Sequence, residues 1–302
     1  MSTLLDADAV ARLRHLVLAA RQAAAGLLVG EHRSKRVGQA VEFADYREYV
    51  AGMDPRRIDW RVWGRSDRYV VRREVVETER PVVVLLDVSG DLGSDADAKG
   101  AARNKLDYAL TMAATLSWWA QQRGDPVALG LIGGEGIEGR WLPPRRGRRH
   151  LEAILRSLVT LKPAGRADLH QRLVDVGDRI PRRSVVVLIT DGMEEPARWL
   201  PALQTFGRRG ADLRLVHLLS GPELRLEGAE SALFYSPEGG DDLAVDPERL
   251  RDELAAVVVE WVAELQRGVT DAGGIYVGAR TDRPFEPVFR SLARAVGLAG
   301  WP

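Results

Sequence analysis

Apolar residues in the last two thirds of the chain fall into short unbroken runs separated by longer amphipathic stretches. Val82 to Leu86 is one such run, closed by Asp87. Val127 to Ile132 is a second and Ser184 to Thr190 a third closed by Asp191, while Leu213 to Leu219, interrupted by Arg214 and His217, reads as a fourth strand. A β-branched run without polar alternation predicts a strand covered on both faces. Between and after the runs, helical spacing predicts helices over Lys99–Arg123, His150–Leu161, Leu169–Ile180, Arg198–Arg209 and Glu248–Ala272. A last strand is expected at Ile275–Gly278. A last helix follows at Pro287–Val296, where the proline sits at a tolerated first-turn position. Arg140–Leu142 reads as a short hairpin partner, and 220–247 as a loop-rich, acidic excursion. Strands alternating with helices this long predict parallel βαβ units. The expected fold class is therefore α/β, a doubly wound, mostly parallel sheet over about residues 81–302.

Residues 1–80 carry a different pattern. Val10, Leu13, Leu16, Val17 and Ala20 recur at helical spacing, with Asp6 or Asp8 to cap the start and Gly30 to end it. Arg12, Arg14, His15, Arg21 and Gln22 interrupt the apolar stretches. No window therefore reaches the roughly 20 apolar residues of a membrane span. The expectation is an amphipathic helix packed on the body of the protein; a membrane-surface helix would want a Trp or Phe anchor on that face. Val41–Tyr49 reads as extended, Gly52–Pro55 as a turn, and Arg68–Glu77 as a strand. Two regions result: residues 1–80, a helix with an Arg/Trp-rich β extension, and residues 81–302, the sheet.

Charge and composition narrow the function. Among 302 residues, 45% are hydrophobic and 28% charged, which excludes wholesale disorder. Lys plus Arg equals Asp plus Glu at 43 each, without the basic excess of a nucleic-acid binder. The chain has no cysteine, so disulfides, thiolate nucleophiles and Cys-held metals are excluded. That is compatible with the cytoplasm, the expected location.

In an open α/β sheet, ligands sit at the carboxyl ends of strands near the point where strand order reverses. Asp87 and Asp191 both end buried strands. The first continues as the loop Asp87-Val88-Ser89-Gly90-Asp91, in which the odd-numbered side chains can turn toward one point. Two carboxylates and a hydroxyl suit a hard cation, Mg²⁺ or Mn²⁺. The alternative is that Asp87 and Asp191 cap helices or satisfy loop amides.

Other chemistry is poorly supported. Gly134-Glu-Gly136-Ile-Glu-Gly139 matches a dinucleotide fingerprint as a string, but Arg-Trp-Leu-Pro-Pro follows and cannot open a helix. No Walker-type lysine loop or Gly-x-Ser-x-Gly elbow occurs. His15, His32, His150, His170 and His217 have no metal spacing with one another. A phosphoacceptor role for Asp87 or Asp191 lacks the preceding acidic pair. Residues 54–80 hold eight arginines and six acids around Trp60 and Trp63, which reads as an Arg–carboxylate and Arg–Trp lattice. Arg145-Arg146-Gly147-Arg148-Arg149 is a basic run, either a solvated loop or an acidic docking surface's counterpart.

The stretch Glu42-Phe43-Ala-Asp-Tyr46-Arg47-Glu48-Tyr49-Val-Ala-Gly52-Met53-Asp54-Pro-Arg56-Arg57-Ile58-Asp59-Trp60-Arg61, followed by Arg65, resembles the signature of the domain of unknown function 58 family. The likeness continues through Glu77, Asp87, Lys105-Leu106-Asp107-Tyr108-Ala109 and Thr281-Asp282-Arg283-Pro284. This resemblance implies a von Willebrand A-like fold and a MoxR-type AAA+ ATPase, or its client, as partner in chaperone-like or assembly work. It marks Arg47, Tyr49, Gly52, Asp54, Arg57, Asp59, Trp60, Arg61 and Arg65 as signature residues. It also implies a metal-ion-dependent adhesion site of the form Asp-x-Ser-x-Ser, with a Thr and an Asp from two further loops. Asp87, Ser89 and Asp191 match that pattern. Asp91 replaces the second serine, and Ala167, beside Asp168, stands where the threonine belongs. Met53 replaces an acid of the signature. A third carboxylate around a divalent ion leaves a net charge of about −1, a poorer electrophile toward a partner's carboxylate. The expected site is degenerate.

Three readings compete: a non-catalytic protein-binding module, a Mg- or Mn-dependent phosphoester hydrolase using Asp87, Asp91 and Asp191, and a structural subunit of an envelope or secretion assembly.

Overall fold

The computed structural model describes residues 11–24, 46–50, 53–72, 80–97, 104–133, 140–165, 168–220, 232–234, 243–245 and 247–295. In chain order the first elements are helix α1 (11–24), strand β1 (Tyr46–Glu48), helix α2 (Trp60–Ser66) and strand β2 (Val70–Arg72). The α/β succession follows: β3 (Val82–Asp87), α3 (Lys105–Gln122), β4 (Val127–Ile132), β5 (Trp141–Arg145), α4 (Arg148–Val159), α5 (Leu169–Gly177), β6 (Val185–Thr190), α6 (Pro196–Arg208) and β7 (Asp212–Leu219). Short strands β8 (Ala232–Phe234) and β9 (Leu243–Val245) precede α7 (Pro247–Asp271), β10 (Ile275–Arg280) and α8 (Glu286–Ala295). Two compact units emerge: Met1–Leu28 with Arg80–Pro302, and Val29–Glu79.

The sheet runs β10-β7-β6-β3-β4-β5. Every neighbouring pair is parallel except β4 with β5. β5 contains Pro143 and Pro144, which an edge strand tolerates because its outer amides need no partner. All six residues of β3, of β4 and of β6 are buried, as their unbroken apolar runs predict. Their side chains alternate between two cores. Val82, Val84 and Leu86 join α1, α3, α4 and α8 on one face. Val83 and Leu85 join α5, α6 and α7 on the other. On α1, Leu16, Ala20, Ala23 and Ala24 are buried in the first core, matching the expected apolar stripe. Its expected caps, Asp6, Asp8 and Gly30, lie outside the described residues.

Some boundaries differ from the sequence reading. The helix expected from Lys99 begins at Lys105, because Asn104 is extended and its side chain accepts from the Asp107 amide at 2.6 Å. The excursion over 220–247 contains the antiparallel pair β8 and β9. The string Gly134–Gly139 lies outside the described residues. The basic run from Arg145 crosses the β5–α4 turn, which Gln121 clamps by donating to the Arg145 carbonyl (2.9 Å) and accepting from the Gly147 amide (2.8 Å). Gly147 has φ +97°, a region that disfavours residues with a Cβ.

In the second unit, β1 and β2 pair antiparallel, and Ile58 bridges Val71. Asp54 caps a 3-10 turn by accepting from the Arg56 amide. Asp59 caps α2 by accepting from the Arg61 and Val62 amides. The Tyr49 hydroxyl donates to the Met53 carbonyl at 3.2 Å. Trp63 stacks on Tyr69 and meets Trp60 edge-on.

Candidate functional site

Strand order reverses between β3 and β6. The chain leaves β3 toward β4 and later returns to β6 on the opposite side of β3. Asp87 is the last residue of β3 and Asp191 follows the last residue of β6, so the sheet brings both to one edge. Both are buried, at 2% and 3% exposure.

Asp87 is held from two sides. Its Oδ1 accepts the Ser89 amide at 3.0 Å, and its Oδ2 accepts the Thr190 hydroxyl at 2.6 Å. Thr190 Oγ1 in turn accepts the Gly192 amide at 3.0 Å, closing the turn after β6. Burial pushes the Asp87 carboxyl up from 3.8 to about 7, and the Asp191 charge pushes the same way; the bonds from Thr190 and Ser89 oppose both.

Asp191 faces a cation supplied by the chain itself. Lys105 Nζ, on the first residue of α3, lies 3.2 Å from Asp191 Oδ2, with only 1% of the lysine side chain exposed. The Asp191 carbonyl accepts from His217 Nε2 at 2.8 Å. A carbonyl only accepts, so the Nε2 atom carries the proton. Burial, foremost, lowers His217 to about 4, leaving the ring neutral near pH 7. Its Nδ1 atom is then an acceptor for the Tyr276 hydroxyl at 2.8 Å. Burial pushes that phenol up to about 12, which keeps it a donor. Trp261 Nε1 donates to the Gly192 carbonyl at 3.2 Å, and Gly192 has φ +61°. The β6 turn is therefore fixed by β7, α7 and β10 as well as by β3.

The rim of the edge is also built. The Gly90 amide donates to the Gly165 carbonyl, and Ala164 to the Val88 carbonyl. Gly93 lies so near Pro163 that an added Cβ would meet its Cγ at 2.5 Å. Glu194 Oε2 accepts the Leu169 amide at 2.8 Å, and the Glu194 carbonyl accepts Trp199 Nε1 at 3.0 Å. Met193 projects at 59% exposure.

The implied adhesion-site residues do not fit a divalent cation well. Such an ion wants about six oxygen ligands. Both Asp87 oxygens accept internal donors, and an Asp191 oxygen faces an ammonium. Asp91 does not continue an extended strand; it enters the 3-10 run Gly90–Asp97. Ala167 lies outside the described residues and has no side-chain oxygen. Asp168 is exposed and caps α5 by accepting the Gln171 amide at 2.9 Å. Among the described residues, no group of three His, Asp or Glu is placed to hold a metal ion.

The signature residues sit in the second unit. Tyr49, Asp54 and Asp59 tie its turns, while Trp60, Arg61 and Arg65 are exposed. The side chains of Arg47 and Arg57, and all of Gly52, lie outside the described residues. The sequence reading placed Lys105 only within the family likeness and gave no role to Thr190, Trp261 or Tyr276. Lys105 had a signal: a cation in the first turn of a helix opposes the helix dipole and so needs a specific partner. His217 had one too, as the polar residue inside the apolar run Leu-Val-His-Leu-Leu.

The strand order and the two acid-tipped central strands define an α/β protein with an open, mostly parallel sheet. Residues 45–261 match the model of the family described as "Protein of unknown function DUF58", and the chain belongs to that family. It is similar to uncharacterized proteins of Mycobacterium bovis and Mycobacterium tuberculosis, each 28% identical over 283 residues, 92% of this chain and 86% of the relative. Solved structures similar to it include the conserved hypothetical protein BatB from Bacteroides thetaiotaomicron, at 13% identity and TM-score 0.47, covering 72% of this chain and 97% of that one. Another is the SpRpn10 VWA domain, at 9% identity and TM-score 0.40, covering 70% and 94%. Among the described residues, no helix is long and apolar enough to cross a membrane.

Proposed function

We propose that this chain is a non-catalytic protein-binding module of the cytoplasm that partners a MoxR-type AAA+ ATPase, or its client, in chaperone-like or assembly work. One observation carries the non-catalytic part: the titratable groups at the carboxyl edge are turned inward onto one another. Asp87 accepts from Thr190 and Ser89, Asp191 pairs with Lys105, and neutral His217 is held between a carbonyl and a phenol. A general base or nucleophile needs an open approach to substrate. What the edge offers outward is the rim, with exposed Met193 between the pinned Gly192 and Glu194. A rigid surface around an apolar anchor suits docking. The ATPase as partner is supported by the likeness of Glu42–Arg61 to the family signature.

The test is direct titration of the purified chain against the purified MoxR-type ATPase of the same organism, with ATP turnover of the ATPase followed in parallel. Saturable binding that weakens in Met193→Asp supports the reading. No binding, or Mg²⁺- or Mn²⁺-stimulated phosphoester turnover lost in Asp87→Ala, contradicts it.

A further inference from the structure

We propose that the Lys105 ammonium is the resident cation of the carboxyl edge, a tethered charge standing in for a divalent ion. The placement of Lys105 is costly by itself. An ammonium withdrawn from water loses its hydration, and the first turn of a helix presents positive partial charge to it. Lys105 bears both penalties at 1% exposure. The position is tolerable only with a carboxylate within reach, and Asp191 provides one at 3.2 Å, itself 3% exposed. The two elements are far apart in sequence, and parallel pairing of β3 with β6 sets Asp191 at the same edge as Asp87.

The surrounding groups agree with an internal cation. The Asp87 oxygens are directed at the Ser89 amide and Thr190 hydroxyl, so that carboxyl is satisfied without an ion. His217 braces the Asp191 backbone from the far side through its carbonyl. Two of the positions that would help complete an octahedron offer nothing: Ala167 has no side-chain oxygen, and Asp168 caps α5. A divalent ion beside Asp191 would also face the lysine as a like charge. Docking at this edge then proceeds without a metal for a partner's carboxylate to complete. That last consequence rests on the function proposed above, whereas the assignment of the cation does not.

The experiment uses the isolated full chain, so its outcome is separate from whether a partner binds. Calorimetric titration with Mg²⁺ and Mn²⁺ is combined with thermal unfolding of wild type, Lys105→Met and Lys105→Met/Asp191→Asn. Wild type is expected to give no saturable heat, and its Tm to move by less than about 1 °C between EDTA and millimolar Mn²⁺. Lys105→Met is expected to lower Tm by roughly 10 °C, because it strands a buried carboxylate, and the double variant to recover most of that loss. If Lys105→Met fails to fold, a folded double variant with near-wild-type Tm supports the inference. Saturable Mn²⁺ binding by wild type that Asp191→Asn abolishes overturns it. So does a double variant no more stable than Lys105→Met.

Discussion

Asp87→Asn removes a group whose proton affinity the fold raises, and the effect on stability has a definite sign. The carboxyl sits at about 7 in the fold against an ordinary 3.8, with burial as the main cause. Between those values the native state keeps a proton that the unfolded chain has released. Wild-type stability from this group is therefore full below about pH 4 and falls as pH rises toward 7. Roughly three pH units at about 1.4 kcal/mol each set an upper bound of about 4 kcal/mol. The Asp191 charge supplies part of that rise, so about 2–4 kcal/mol is expected. Asparagine does not titrate. Its carbonyl can still accept the Ser89 amide, and any lost bond shifts stability by a constant rather than a slope. His217 acts oppositely, since its lowered value of about 4 gives stability that is present above 6.5 and is lost as pH falls through 4. It is common to both proteins and drops out of the difference. The assay is urea unfolding followed by tryptophan fluorescence at intervals from about pH 4 to 8. The stability of Asp87→Asn minus that of wild type should rise with pH by the stated amount. A difference that is flat within about 0.5 kcal/mol, or that falls, refutes the buried, proton-holding Asp87.

Further predictions concern packing, the tautomer and the second unit. A Cβ on Gly207 would meet the Ala272 carbonyl oxygen, whereas one on Gly268 would meet the movable end of Leu200. Gly207→Ala should therefore destabilise by about 1–3 kcal/mol and by more than Gly268→Ala, as read by thermal melts; the reverse order would contradict the close approach. Nitrogen-15 NMR should find His217 protonated at Nε2 alone at neutral pH, titrating near 4; a midpoint near 6.5 would contradict its burial. Trp60 is 56% exposed, so Trp60→Ala should shift Tm by less than about 2 °C in thermal melts; a larger loss would contradict its exposure.

The sheet was legible because short apolar runs such as Val-Val-Val-Leu-Leu closed by Asp admit few other structures, and Asp87 with Asp191 followed from them. The interior of the site was not. Asp87, Ser89 and Asp91 were expected to turn toward one point of the loop after β3; that loop enters a 3-10 run at Gly90, and periodicity does not foresee such a turn. Lys105 reads as a solvated helix residue, since lysine is rarely buried, and its partner lies 86 positions away in sequence. Thr190 reads only as the end of an apolar run, yet its hydroxyl links Asp87 to the β6 turn. In the Arg/Trp segment, opposite charges suggested ion pairs, while Asp54 and Asp59 each direct an oxygen to backbone amides at the start of a helical turn. Near-neighbour capping competes with distant pairing, and composition does not distinguish the two.

The most direct measurement of the central claim is hydrogen–deuterium exchange of the full chain, free and bound to the MoxR-type ATPase. The account predicts new protection in the carboxyl-edge loops around residues 88–93, 163–165 and 191–195, unchanged when the free chain is first stripped of divalent ions. Protection confined to the opposite end of the sheet, or protection of these loops that vanishes after metal removal, would contradict it.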